Sequence, residues 1–331
     1  MNVSRLIPTA TVAGALALGL TALTACSASD AADRRSDGRL NVVASFYPMQ
    51  FLAERIGGKH VSVTTLTKPG VEPHDLELSP RQVGGLSDAD FVLYLKGIQP
   101  AVDDAIKQSG VKNAVDASKL TALEVHGTET AGDGHDHGHD GDHAHDEQHG
   151  HTHDGDEAGA DPHVWLDPVK YAEVAKGVGK SLEKADPGHA ADYRRNTEAL
   201  VTELDGLNTA FKDGLRNTTT KTFITTHAAF GYLAERYGLT QEGIAGIDPE
   251  AEPTPARISE IHTIAKKDGA TTVFFETLAS DRTAKTLARD TGLRTDVLDP
   301  LEGITDKSKG ADYVEVMRSN LAALRTALGA K

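Results

Sequence analysis

The chain is 331 residues long, carries a formal net charge of −15 and contains a single cysteine. Its length suffices for two lobes with cores of their own. The acidic balance leaves no basic face for nucleic acid, and one cysteine excludes an internal disulfide framework.

The chain opens MNVSRLIPTATVAGALALGLTALTAC. Arg5 followed by an uncharged Ala/Leu-rich run reads as a secretory signal over residues 1–25. The run ends in Leu23-Thr24-Ala25-Cys26, which resembles the bacterial lipoprotein cleavage box. Cys26 is therefore the expected lipidation site, and two acyl chains give stable anchoring at ~0.8 kcal/mol per buried methylene. Residues 26–39, polar and unpatterned, read as a flexible tether from that lipidated cysteine to the first strand.

From Asn41 the pattern alternates. NVVASF reads as a buried strand, YPMQFLAERIGG as a helix stopped by Gly57-Gly58, and HVSVTTL as a second strand. Ser79-Pro80 offers an N-cap and a first-turn proline, DFVLYL is a third strand, and a helix follows near Pro100 to Gln108. Such alternation predicts a parallel sheet with helices on both faces, a first α/β lobe over 40–185. An insertion at 126–160 interrupts it. That segment holds ten acidic residues and no Lys or Arg, and eight of its nine histidines cluster beyond His126: His135, His137, His139, His143, His145, His149, His151 and His153. It has little to bury, so disorder is expected, with several weak metal sites rather than one strong one. It is read either as a local zinc collector or as a dispensable solvated loop.

Asp167-Pro168 caps the next helix. Beyond Asp186-Pro187, Tyr193, Leu200, Leu204, Leu207, Phe211 and Leu215 form one apolar stripe. This predicts a long rod over 186–215 joining two lobes. The second lobe, 216–331, repeats the alternation: KTFITT, TTVFFE and RTDVL read as strands, separated by amphipathic helices and closed by one more.

Six histidines lie outside the insertion. His60, His189 and His262 sit at helix ends or strand starts and are read as surface residues. His74 in PGVEPHDLELSP, His163 in DPHVWLDP and His227 at the end of TFITTH follow strands or precede helices, and Asp299 in VLDPLEG occupies a similar position. In open parallel sheets, ligands bind beyond the carboxyl ends of the strands. Three imidazoles and a carboxylate make a tetrahedral set suited to Zn²⁺, whereas Mn²⁺ favours more oxygen. Spacing alone does not require these residues to meet. A lone strand-end histidine is more often a cap, and Asp299 before Pro300 suits capping equally well. Glu72 and Glu276 are the fallback oxygen ligands.

Together these segments resemble the metal-binding, solute-binding lipoproteins of bacterial ABC importers for zinc and manganese, in particular the zinc-uptake branch. VVASFYPMQFLAERIGG, PGVEPHDLELSP, DPHVWLDP, TTHAAFGYLAERYGL and LDPLEG carry the resemblance in order, and the His-rich insertion agrees with it. It implies two Rossmann-like lobes joined by one rigid helix, with the metal in the cleft between them. It implies His74, His163 and His227 as ligands, with a variable fourth position assigned here to Asp299. It implies Zn²⁺ as cargo, with Mn²⁺ second, because manganese-specific relatives tend to carry a glutamate where His227 stands. The expected partners are a permease and an ATPase. The chain has no G-x-x-x-x-G-K-[ST] loop, so that ATPase is a separate subunit. A monomer anchored on the outer face of the cytoplasmic membrane is expected. A zinc-buffering or adhesin-type surface lipoprotein, or a zinc hydrolase, is the alternative.

Overall fold

The computed structural model describes residues 38–126 and 159–331. The expected signal segment, Cys26, most of the tether and the eight clustered histidines lie outside the described residues. No helix among the described residues is long and apolar enough to cross a membrane.

The first lobe runs β1 (Leu40–Ala44), α1 (Tyr47–Gly57), β2 (Val61–Thr65), α2 (Pro80–Ser87), β3 (Phe91–Tyr94), α3 (Pro100–Ser109) and β4 (Ala114–Asp116). Its strands are parallel in the order β2-β1-β3-β4. Helix boundaries follow local chemistry. Ser79 and Gln82 close a capping box on α2, and α1 stops at Gly58, whose φ of 54° is open to glycine at little cost.

Two helices follow: α4 (Pro168–Ala185) and α5 (Ala190–Gly214). The second lobe comprises β5 (Thr222–Thr225), α6 (Gly231–Tyr237), β6 (Thr240–Gly243), α7 (Pro255–Asp268), β7 (Thr272–Phe275), α8 (Arg282–Thr291), β8 (Arg294–Val297) and α9 (Tyr313–Ala327). Its sheet is also parallel, in the order β6-β5-β7-β8. The two lobes therefore share one strand order. In each, the order reverses beside the first strand, which opens a crevice at its carboxyl end.

The long helix is shorter than the 186–215 rod expected. A 3₁₀ turn over Pro187–His189 precedes the 25 residues of α5. Asp186 organises that turn by accepting from Tyr193 Oη at 2.8 Å and pairing with His189 Nδ1 at 2.6 Å. At 1.5 Å per residue, α5 is about 37 Å long. Its stripe of Tyr193, Leu200, Leu204, Leu207 and Phe211 is buried, and the helix packs against α1, α4 and α9.

The largest hydrophobic core crosses both lobes without a break. Tyr313 of α9 lies 4.6 Å from Tyr171 of α4 and 5.3 Å from Phe51 of α1, ring centre to ring centre. Its hydroxyl donates to Trp165 O at 2.5 Å, while Trp165 Nε1 donates to Pro300 O at 2.7 Å. The closing helix is thus a second tie between the lobes beside α5.

Candidate metal centre

Four Asp-Pro pairs shape the loops of this molecule in the same way. The carboxylates of Asp161, Asp167, Asp248 and Asp299 each accept the N–H two residues on, at 2.9, 2.9, 2.8 and 2.8 Å. This Asx turn fixes the chain just beyond the proline. At Asp161 it sets His163. At Asp299 it holds Leu301 at φ 60°, the one non-glycine residue with positive φ among those described. A branched side chain there costs on the order of 1–2 kcal/mol, and the turn directs Glu302 inward.

The result is a cluster of buried His163, His227 and Glu302 with half-buried His74. His74 comes from the loop between β2 and α2, and His163 from the segment before α4. His227 lies two residues past β5, and Glu302 lies past β8. Glu302 Oε1 sits 3.4 Å from His74 Nε2, 3.2 Å from His163 Nε2 and 3.3 Å from His227 Nε2. The ring centres are 5.4 to 6.2 Å apart. Four ligands at about 2.0–2.1 Å around a tetrahedral ion are separated by roughly 3.3 Å, and the three measured edges match that value.

Tautomers sharpen the case. His163 Nδ1 lies 2.7 Å from Asp161 Oδ1, and His227 Nδ1 lies 2.6 Å from Glu276 Oε1. An ionised carboxylate only accepts, so both Nδ1 atoms carry the proton. In the neutral rings both Nε2 lone pairs then face the lone pairs of Glu302. That arrangement calls for a positive charge at its centre. The atoms left without a hydrogen-bond partner agree: His227 Nε2 and one oxygen each of Glu72, Glu276 and Glu302 are buried and unpaired here. An imidazole and carboxylate donor set of this kind fits a borderline divalent ion such as Zn²⁺.

The electrostatics show the same demand. Burial works against charge on His163 and His227, yet Asp161 holds the first above the ordinary imidazole range and Glu276 with Glu302 hold the second well above it. Burial also opposes ionisation of Glu302, but its close contacts with the three histidines keep it well below the usual carboxylate range. Glu72 is different. Burial, then the nearby charge of Glu302, pushes its carboxyl up to about 9.

The structure brings His74, His163 and His227 together but does not bring Asp299 to them. The Asp299 carboxylate is occupied by Leu301 N and, at 3.1 Å, by Thr277 Oγ1. Glu302 stands in the fourth position instead. Glu72 accepts from His74 N at 3.2 Å, and Glu276 accepts from Thr226 Oγ1 as well as orienting His227. Both fallbacks therefore hold neighbours in the cluster and lie outside the four-atom set. Glu302 was present in the LDPLEG segment. The signal that picks it out is the Asp-Pro pair itself, which spends its carboxylate on an Asx turn at four of its five occurrences, Asp186-Pro187 being the exception. His60 and His189 stack on each other with ring centres 3.9 Å apart and are not part of the cluster. Trp165 packs beneath His163, 5.1 Å between ring centres.

Residues 42–327 match the profile of the ZnuA family, described as the periplasmic component A of a zinc-uptake complex. The zinc-binding protein AdcA of Streptococcus pyogenes is 37% identical over 296 residues, 88% of this chain and 56% of the relative. The chain thus spans little more than half the length of that relative. The high-affinity zinc uptake system protein ZnuA of Bacillus subtilis is 34% identical over 305 residues, 91% of either chain. Among solved structures, the laminin-binding protein Lmb of Streptococcus agalactiae, described as bifunctional with adhesin and metal transporting activity, superposes with a TM-score of 0.73. It is 30% identical and covers 87% of this chain and 99% of its own.

Proposed function

The chain belongs to the ZnuA family, and from that premise we propose that it is the extracytoplasmic zinc-binding subunit of an ABC importer. His74, His163, His227 and Glu302 would hold the ion. The observation that carries this reading is Glu302 Oε1 at 3.2–3.4 Å from three Nε2 atoms drawn from both lobes.

In this mechanism the second carboxylates do the orienting. Asp161 and Glu276 fix the ring orientations and keep Nδ1 protonated, so each ring turns its Nε2 toward the ion and presents a lone pair once that nitrogen gives up its proton. The protein then docks on a membrane permease whose separate ATPase drives the cycle. A nanomolar site corresponds to about 12 kcal/mol, so release requires the permease to disturb the ligand set. Anchoring through Cys26 on the outer face of the cytoplasmic membrane completes the proposal, with the protein acting as a monomer.

Burial of the ligand set supports capture over hydrolysis. His163 and His227 are fully buried and Glu302 is 1% exposed, which leaves only the side of His74 open and little room for a substrate. An adhesin or buffering role is the second reading, and the description of Lmb favours it. One experiment separates them. The full chain should bind one zinc tightly, His227→Ala should weaken that site at least about a hundredfold, roughly 2.7 kcal/mol, and cells carrying only this variant should fail to grow under zinc chelation. Normal growth of those cells would overturn the importer reading.

A further inference from the structure

Asp161 has two oxygens, and each holds a histidine. Oδ1 holds His163 of the cluster above; Oδ2 lies 3.2 Å from Nδ1 of His126. The opposite nitrogen of His126, Nε2, faces Glu235 Oε2 at 2.7 Å and Glu124 Oε2 at 3.8 Å. One ligand atom from each of these three residues lies within 4.8 Å of the others. We propose that Glu124, His126 and Glu235 form a second, outer site for Zn²⁺ or a similar borderline divalent cation.

The ring of His126 is oriented as a ligand should be. With its Nδ1 proton given to Asp161, its Nε2 lone pair points at the two glutamates. Glu124 is also set in place. Lys170 Nζ pairs with its Oε1 at 2.6 Å, which leaves Oε2 turned toward His126. The measured edges of 2.7 and 3.8 Å bracket the roughly 3.3 Å of a tetrahedral zinc sphere, and a small swing of Glu235 equalises them. Its side chain is 62% exposed and free to make that swing.

The cradle is built rather than incidental. Gly231 carries no side chain where a Cβ would stand 2.3 Å from His126 Cβ and 2.9 Å from Asp161 Oδ2. Tyr232 packs edge-on against the His126 ring at 4.4 Å between centres. The Tyr232 hydroxyl accepts from Glu124 N and donates to Asp161 O, each at 2.8 Å. Asp161 N donates in turn to Glu124 O at 2.8 Å. Outside, His126 and Glu235 line a cavity of about 650 Å³, which gives water room to complete the coordination. One imidazole with two carboxylates favours Zn²⁺ over Mg²⁺ or Ca²⁺. Three ligands at an open surface make this site weaker than the buried one. Asp161 accepts an N–H from both histidines, so the two sites are compatible with simultaneous occupancy.

The test uses the full chain with the eight histidines from His135 to His153 changed to Asn, so that they do not bind the probe. Equilibrium dialysis against Zn²⁺ alone, near neutral pH, should give two ions per chain, one tight and one weaker. Adding Glu235→Ala, an exposed change on α6, or His126→Gln should leave one. Adding His227→Ala should instead remove the tighter ion and keep the weaker, so the two sites fail separately. A single ion in the parent, or two ions retained in Glu235→Ala, would overturn the proposal.

Discussion

Glu302 and Asp299 lie three residues apart and do different work. Glu302→Gln removes the charge that three imidazoles surround, and its zinc affinity should fall about a hundredfold, ~2.7 kcal/mol by titration calorimetry. Asp299→Asn should leave affinity nearly unchanged while lowering unfolding stability by about 1–2 kcal/mol in urea, through the weakened Leu301 turn. The opposite ranking would restore Asp299 as the ligand. pH acts on the same cluster. The raised pKa values of His163 and His227 mean that their ionic contacts stabilise the metal-free protein fully below the ordinary 6.5, and less as pH rises through the folded values. The lowered value of Glu302 adds stability above the ordinary 4.5, lost as pH falls through the folded value. The metal-free cluster is therefore most favourable between those two reference values, and zinc replaces protons above them. The rise in Tm on adding zinc should be larger at about pH 8 than at about pH 6; an increment independent of pH contradicts this. His163 and His227 could be singled out beside α4 and β5, whereas His74 lies mid-loop between β2 and α2 and was singled out with its PGVEPHDLELSP segment. Glu302 was not, because its inward turn depends on one strained residue and one Asx bond, which leave no periodic mark.

The helices and central strands of both lobes follow the sequence closely. Apolar runs such as VFF and the cap chemistry of Ser79, Asp167 and Thr254 fix their type and ends. The edge strands β4 and β6 escaped detection. They are short, their residues are mostly exposed or half-buried, and only pairing to β3 and β5 makes them strands. Helix packing supplies a prediction at this scale. Gly179 of α4 faces Thr197 of α5 so closely that a Cβ would stand 3.1 Å from Thr197 Cβ and 2.3 Å from its hydroxyl oxygen. Gly179→Ala should force the helices apart and cost about 1–3 kcal/mol, despite alanine's better helix propensity. A thermal melt with Tm unchanged or raised would show that the contact yields freely.

The whole molecule is held by more than its long helix. The core runs through Phe51, Tyr171 and Tyr313, and hydrogen bonds join Trp165 to Pro300 and Tyr313. A hinge at α5 alone would have to break these contacts, so loop shifts rather than wide lobe closure should accompany binding. Scattering in solution should give the same radius of gyration with and without zinc, and a clear contraction on binding would contradict a shared core. The sequence conveyed two lobes and a rod, but not that α9 returns to the first lobe; its apolar stripe names a buried face without naming the partner. The central claim, one ion at the seam of both lobes, is tested most directly by anomalous diffraction at the zinc edge from crystals of the full chain carrying one equivalent of Zn²⁺. The account predicts the strongest peak among His74, His163 and His227 Nε2 and Glu302 Oε1, each about 2 Å away. A strongest peak elsewhere, or one ligated by Asp299 with Glu302 turned aside, would contradict it.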